Sequence, residues 1–511
     1  MLEKIGRGVA LGAICCALAM GSLSAAAEES ATPKKGGTLT VGTQSDAQTL
    51  DPIASVQWAE RQILFLVFDS LVTLAPDFSI HPLLAESWDV SPDGKRITLH
   101  LRKGVKFQDG TDFDAEAVKW NFDNRLDPAT GSAQRKQLAV INSVEVVDKS
   151  TVALNLKEAF PPLMAALADR AGLMVSPAAV KKYGKDFGSH PVGTGPFVFK
   201  EWVRGNHVTV DRNENYWQEG HPYLDHVVFT DIANTTVGLQ RLVTGEIDFV
   251  AELQPRDIQL VQDNPDIKLD PIKNGQWYSL QWHWNEPPFN NPKLRQAIAY
   301  AIDRNRINAI LWNGQATIAN GPSSPGLWWS PSDKPYDYNP EKAKQLLAEA
   351  GIKPGTKITL SDPSNNILRQ YDQLVKEQLD AIGLDVQLQP VDYDQYYQLT
   401  LDRKINFVPM TWTQRADPDG LLYILFHSKG TANSTGYNNP EVDKLLDQAR
   451  LISDTAKRKA LYDEVHKMLA EDLPYVSIVF SAEYAAMGKG VQGFAWIPDL
   501  IPRFRDMWKD Q

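Results

Sequence analysis

Cysteine is almost absent from this chain: two residues in 511, Cys15 and Cys16, both inside an apolar run near the N-terminus. Beyond that run there can be no disulfide framework, no thiolate nucleophile and no cysteine metal site. Long hydrophobic stretches are missing as well. Residues 9–20 are apolar but too few to anchor in a bilayer, and no later segment approaches spanning length. Basic charge is in deficit, with 52 Lys and Arg against 63 Asp and Glu and a net charge of −11. Such a chain repels phosphate backbones, which disfavours nucleic acid as a partner. The usual catalytic signatures are missing too: no G-x-S-x-G elbow, no H-E-x-x-H pair and no Walker loop. Gly193-Thr194-Gly195 runs into Pro196 and Phe197 and does not complete a dinucleotide fingerprint. The nine His are scattered; His221 and His226 flank Pro222 at a spacing that puts them on no common helical face. Asp417-Pro418-Asp419-Gly420 has the look of a calcium loop without the rest of its ligands, and reads as a turn. No cofactor and no metal are expected, and nothing points to an enzyme.

What is present begins with an export pattern. Lys4 and Arg7 precede the apolar run, and Ala25-Ala26-Ala27 before Glu28 offers a small-residue cleavage site. Gly12-Ala13-Ile14 before Cys15 fits a lipoprotein signal poorly. Cleavage after Ala27 removes Glu3, Lys4 and Arg7 and leaves 50 basic and 62 acidic residues with no cysteine. The expected product is exported and soluble in the periplasm.

Hydrophobic residues at 43% and charged residues at 23% are the composition of a soluble globular protein, and 511 residues call for two or three domains. Alternation predicts strands at 97–102, 152–156 and 208–210, with further short strands at 357–360, 385–389 and 475–480. Helices fall between them. Asp114 is a cap for a helix carrying the stripe Val118, Phe122 and Leu126; Leu294, Ile298 and Ile302 form a second stripe. Asn339-Pro340 starts a helix that Gly351 stops, and Asn439-Pro440 starts another. Strands and helices mixed throughout predict an α/β fold, and the lack of a short repeat excludes solenoids and propellers.

These segments assemble into a known pattern. The block LAESWDVSPDGKRITLHLRKGVKFQDGTDFDAEAVKWNF at 84–122 closely resembles the signature region of the peptide/opine/nickel family of extracellular solute-binding proteins of ABC importers. GGTLTVGT at 36, VGTGPFVFKEW at 192, NENYWQEGHPYLD at 213 and TGEIDFV at 244 follow in the family's order, as do KLRQAIAYAIDR at 293, YNPEKAKQLLAEAGI at 338 and GYNNPEVDKLL at 436. The resemblance implies a two-lobed periplasmic binding protein fold of the Venus-flytrap kind, with an extra subdomain on lobe one. Lobe one would be 38–276 plus 487–511, the extra subdomain would lie within about 88–190, and lobe two would be 277–486. It implies a small organic solute, peptide-like or anionic and opine-like, held between the lobes by a monomer that delivers it to the permease subunits of an ABC importer. The alternatives are a secreted hydrolase, or a family member binding a metal chelate or haem.

The fourteen Trp supply broad planar faces for a core or a ligand wall. Two segments are candidates for the cleft. One is the aromatic run containing Trp277, Tyr278, Trp282 and Trp284, of which Trp282 and Trp284 are expected to line the ligand site, core packing being the alternative. The other is Trp412, Thr413, Gln414 and Arg415. By the resemblance, Trp412 matches a Trp of the family's binding segment, and peptide binders commonly hold an Asp three residues later for the peptide amine. This chain has Arg415 there, which welcomes a carboxylate or phosphate through its planar fork. The carboxylate-binding Arg of dipeptide binders would fall near Ser364 or Asn365, with Arg369 a turn too late. Arg415 contacts an anionic ligand group on this reading; the alternative is a local pair with Asp417 or Asp419.

Overall fold

A computed structural model describes residues 32–510, apart from 233, 273, 332–335 and 364–365, and gives the backbone alone at 366, 393 and 394. The export segment ending at Ala27, with both cysteines, lies outside the described residues. Among the described residues no helix is long and apolar enough to cross a membrane.

The predicted elements form where the patterns put them. Strand Arg96–Leu101 alternates half-buried and buried positions along its length, as a sheet with one core face requires. Strands Thr151–Leu156, His207–Arg212, Thr356–Pro363, Leu384–Val391 and Tyr475–Phe480 cover the other predicted stretches. Asp114 caps helix Ala115–Leu126, its carboxylate accepting from the Ala117 N–H at 3.1 Å, and Val118 and Phe122 of the stripe are fully buried. Asn339 and Asn439 cap helices Pro340–Glu349 and Pro440–Ala449. Asp417 caps a short 3-10 turn, Pro418–Gly420, so that acidic stretch is a turn as read.

Three sheets organise the chain. The first has seven strands in the order Ile267–Ile272, Glu483–Gly488, Phe249–Leu253, Thr38–Thr43, His226–Asp231, His207–Arg212, Phe197–Val203. The second has six, in the order Thr317–Ile318, Tyr475–Phe480, Trp277–Trp282, Phe407–Trp412, Thr356–Pro363, Leu384–Val391. The third, of four antiparallel strands within 85–156, has its own core around Leu99, Phe107, Phe122 and Leu154. Inside that region Arg125 is fully buried, its guanidinium held by the Asn121 side chain and the carbonyls of Asn121 and Leu173, and burial pulls its pKa down to about 10.

The chain passes between the two large sheets twice, with 274–276 on the outward passage and Ser481 and Ala482 on the return. The two crossovers bond to each other. Gly275 N–H donates to the Ser481 carbonyl at 2.9 Å, and Ser481 N–H donates to the Gln276 carbonyl at 2.8 Å. Gln276 N–H donates to Ser481 Oγ at 2.8 Å, and that hydroxyl donates to Glu483 Oε1 at 2.9 Å. A side chain at Gly275 would stand 2.6 Å from Ser481 Oγ, so only glycine lets the segments lie this close. Strand Glu483–Gly488 is paired along its whole length in the seven-stranded sheet, so the return to that sheet begins at Glu483.

Gly193 and Gly195, excluded above as a nucleotide loop, pack against the end of helix Trp58–Val67. Gly195 N–H donates to the Val67 carbonyl at 3.0 Å, and a Cβ at Gly195 would stand 2.4 Å from the Leu66 carbonyl oxygen. Backbone cannot yield as a side chain does. Gly195→Ala is therefore expected to cost about 1–3 kcal/mol of stability by overpacking, read as a lower urea midpoint; an unchanged midpoint contradicts this packing.

Candidate functional site

Helix Trp58–Val67 carries the first wall of the site. Its start is fixed by Glu60, a buried carboxylate that accepts from Ser55 Oγ at 2.6 Å and from the N–H groups of Gln48, Thr49, Val56 and Gln57. With Glu60 engaged inward, Arg61 is presented outward. Its guanidinium lies 3.0 Å from Asp169 and 3.2 Å from Asp499. Arg503 pairs with the same Asp499 at 2.7 Å and lies 3.8 Å over the Phe65 ring. Arg170 donates to the Ser55 carbonyl and stands 4.0 Å from Asp169. Three guanidiniums thus share two carboxylates on one wall.

The facing wall comes from the end of strand Phe407–Trp412. Arg415 is open to solvent, folded back onto the carbonyls of Thr413 and Gln414 at 3.2 and 3.1 Å and onto the Thr413 hydroxyl. Among the described residues no carboxylate lies within ion-pair distance of it. Asp417 is taken by Arg458, through two bonds of 2.8 Å, and Asp419 by Arg450 at 2.7 Å. The local pair is thereby ruled out as the role of Arg415. Although its surface is open, the protein gathered around it displaces part of the nearby water and pulls its guanidinium below the usual arginine range, with Arg61 acting in the same direction and Asp169 and Asp499 against it. Those partners all belong to the first wall, so Arg415 lies within electrostatic reach of it. Tyr397, exposed, meets Trp412 edge-on at 6.0 Å. Trp412 itself is 8% exposed with its indole N–H unpartnered.

A second contact crosses the cleft. The Arg450 guanidinium lies 3.7 Å over Tyr423 and 4.9 Å over Phe160, which belongs to the region of the third sheet. Burial pushes the Asp419 carboxyl beside it up to about 7, against the pull of Arg450. Behind Phe65 and Arg503 a cavity of about 390 Å³ runs back to Asp69, His81 and Arg505. A larger cavity of about 460 Å³, walled by Trp277, His466 and Tyr475, is lined solely from the six-stranded half, so the facing wall takes no part in it.

The candidates from sequence divide. Arg415 is exposed and Thr413 half-buried just past the end of strand Phe407–Trp412, and Trp412 is buried beside them. Gln414 is fully buried and structural: its side chain accepts from Ser324 N–H at 3.1 Å and donates to the Pro322 carbonyl at 3.3 Å. Trp282 has no accessible surface and stacks on Phe289 at 5.4 Å with a 4° tilt. Trp284 packs on Tyr437 and donates its indole N–H to the Asp472 carbonyl at 3.0 Å. Neither Trp lines the cleft. The reason is that helices cover both faces of the six-stranded sheet: Tyr278, Leu280 and Trp282 point into one core and Trp277 into the other. Ser364 and Asn365 lie outside the described residues, and Arg369 stands 3.7 Å from Asp362. His221 and His226 pair separately, with Asp506 and Asp211. Among the described residues no group of three His, Cys, Asp or Glu is placed to hold a metal.

Arg61, Asp169, Arg170, Asp499 and Arg503 were not foreseen. The one available signal was Glu60-Arg61, the only charges in the otherwise apolar helix WAERQILFLV.

Residues 79–433 match the family of bacterial extracellular solute-binding proteins, family 5, in its middle region. The glutathione-binding protein GsiB of Escherichia coli O1:K1 is 33% identical over 477 residues, which is 91% of this chain and 93% of that protein. Among solved structures, AgaA of A. tumefaciens R10 in complex with agropinic acid is 29% identical with a TM-score of 0.78, covering 93% of this chain and 99% of that one. DppA of Helicobacter pylori in complex with the peptide STSA is 26% identical with a TM-score of 0.80, over 94% of this chain and 99% of that one. The chain belongs to the family 5 solute-binding proteins, the solute-binding components of ABC importers.

The geometry assigns Trp282 to packing and not to ligand. Trp282→Phe is expected to lower stability by about 1–3 kcal/mol, as a partial truncation of a buried aromatic, and to leave solute affinity unchanged in calorimetry. Loss of affinity at full stability contradicts the assignment.

Proposed function

We propose that this family 5 protein captures an anionic, peptide-like solute, of the glutathione or opine kind, between its lobes. The lobes are taken as 38–272 with 483–510, and 277–480. One observation carries the reading: four guanidiniums, Arg61, Arg170, Arg415 and Arg503, are gathered within electrostatic reach of one another; among the described residues Asp169 and Asp499 are the carboxylates in ion-pair distance of the first wall, Glu60 adds to their pull on Arg170, and Arg415 has no carboxylate of its own. An excess of enclosed positive charge is stabilised when a ligand brings carboxylates into it. The planar fork of each guanidinium favours a carboxylate held by two parallel bonds. Glutathione, with two carboxylates and one ammonium, has this charge pattern, and the names of GsiB and AgaA support the same class. Arg61, Arg170 and Arg503 are already oriented by their carboxylates, so little side-chain freedom remains to be lost on binding.

Arg415→Ala is expected to weaken glutathione about ten-fold to a few hundred-fold, the loss of a charge-assisted contact of roughly 1.5–3 kcal/mol. Arg415→Lys recovers part of it, and melting of the empty protein barely moves, since Arg415 holds nothing else in place. Saturating ligand contracts the protein in small-angle scattering as the lobes close. Normal affinity in Arg415→Ala with a large loss of stability shows instead that Arg415 is a structural residue.

The solute is delivered to permease subunits in the membrane by a monomer exported to the periplasm. Export follows from the charged, apolar and small-residue segments before Glu28. Mass spectrometry of the mature protein is expected to find Glu28 first; a retained Met1 on most molecules contradicts cleavage there.

A further inference from the structure

Glu252 is a carboxylate for which the fold has made unusual provision. It lies near the carboxyl end of strand Phe249–Leu253. Strand Glu483–Gly488 runs antiparallel to that strand and to Ile267–Ile272, with Leu253 opposite Tyr484 and Ile272 opposite Glu483. The ends of all three strands therefore meet at the edge where both crossovers leave for the other lobe. Just past Glu252, the turn Pro255–Ile258 packs on helix Arg304–Trp312 of that lobe. Glu252 thus stands at the crossover end of the interlobe cleft.

Its backbone departs from the regular ladder. Val250 pairs with Ala486 and Leu253 with Tyr484, so Ala251 and Glu252 together oppose Ala485 in a bulge. Glu252 adopts φ +61°, a left-handed conformation that a glutamate takes only when its surroundings impose it. A bulge of this sort turns a side chain out of the regular ladder and is common beside binding sites. No hydrogen bond or ion pair reaches the Glu252 side chain among the described residues. Asp169, Asp499 and Asp419, the cleft carboxylates described above, are already engaged by arginines. Glu252 remains partly exposed, so a ligand group can reach it.

We propose that Glu252 is the subsite for a cationic group of the solute, the ammonium of an amino-acid or peptide-like ligand, at the crossover end of the cleft. The inference rests on the interlobe reading above and supplies the counterpart of its cationic walls. One end of the cleft takes carboxylates, the other an ammonium, and a zwitterionic ligand is thereby held in a single orientation.

Protonation gives the subsite a signature. Loss of water, and then the nearby Glu483, push the Glu252 carboxyl up to about 8. The other groups around it are committed elsewhere. Arg256 and Asp257 pair with each other at 3.8 Å, Arg304 is engaged by backbone carbonyls, and Arg306 is paired with Glu377. Tyr484, opposite Leu253, is raised by burial and stays a neutral phenol. The empty site therefore holds a proton at neutral pH. An arriving ammonium favours the ionised carboxylate and expels that proton. Affinity for an amino-bearing ligand accordingly falls by up to about ten-fold per unit as pH drops below about 8, and levels off above it.

The probes are glutathione and N-acetylglutathione, which keeps both carboxylates and loses the ammonium. Titration calorimetry at pH 7 in phosphate and in Tris is expected to show close to one proton released by glutathione and none by N-acetylglutathione. Glu252→Gln is expected to weaken glutathione about ten- to a hundred-fold, to leave N-acetylglutathione unchanged and to abolish the buffer dependence. The empty variant melts at or above the wild-type temperature, because Gln is neutral without having to take up a proton on folding. Equal losses for both probes, undiminished glutathione binding, or wild-type binding without proton release overturns the subsite while leaving the Arg415 test standing. A wild-type protein that binds N-acetylglutathione but not glutathione likewise overturns the subsite alone. One that binds neither overturns the subsite and the anionic-solute reading together.

Discussion

The hydrogen bonds between the two crossover segments are the constraint on which the rest of the molecule depends. Gly275, Gln276 and Ser481 join the strand leaving the seven-stranded sheet to the strand returning to it. Because they are bonded as a pair, the two halves share one axis, and the strand ends of the first sheet are turned toward the second. Every residue discussed at the cleft takes its place from that arrangement. Glycine at 275 is required for the close approach, and the Ser481 hydroxyl links the pair to Glu483.

The electrostatics of the cleft follow a single principle. A charge removed from water is tolerated when a partner of opposite sign is held at short range, and costs free energy when it is not. On the first wall Arg61, Arg170 and Arg503 satisfy this by sharing Asp169 and Asp499. On the second, Arg415 does not, while its neighbours Asp417 and Asp419 are taken by Arg458 and Arg450. The walls are thus stiff where they are paired and open where they are not. Charge left over in a cleft between two bodies makes the bodies' approach favourable only when a solute of the complementary sign lies between them.

Packing explains the aromatic residues. A strand with helices on both faces buries all of its side chains, so alternation along Trp277–Trp282 separates two cores and does not separate core from solvent. Trp282 and Trp284 accordingly hold the second lobe together. Trp412, the last residue of its strand, is buried as well but meets the exposed ring of Tyr397.

Local features of this protein were determined by the sequence alone. The caps at Asp114, Asn339 and Asn439, the stripe Val118–Phe122, the alternating strands and the turn at Asp417 depend on neighbours a few residues away, and periodicity and capping chemistry read such neighbours directly. The family was legible for the same reason, since its blocks are contiguous. Arg415 could be singled out because its departure from the family pattern lies within one short segment. Only the tertiary structure decided the site. Arg61, Asp169 and Asp499 come from distant stretches of chain, and no spacing rule connects them. Whether Trp282 meets a ligand or a core depended on which elements cover its sheet, and Glu252 acquired its exposure and its backbone conformation from a bulge against a strand that arrives more than two hundred residues later. Long-range pairing is set by the packing of whole lobes, and one-dimensional pattern carries no trace of it.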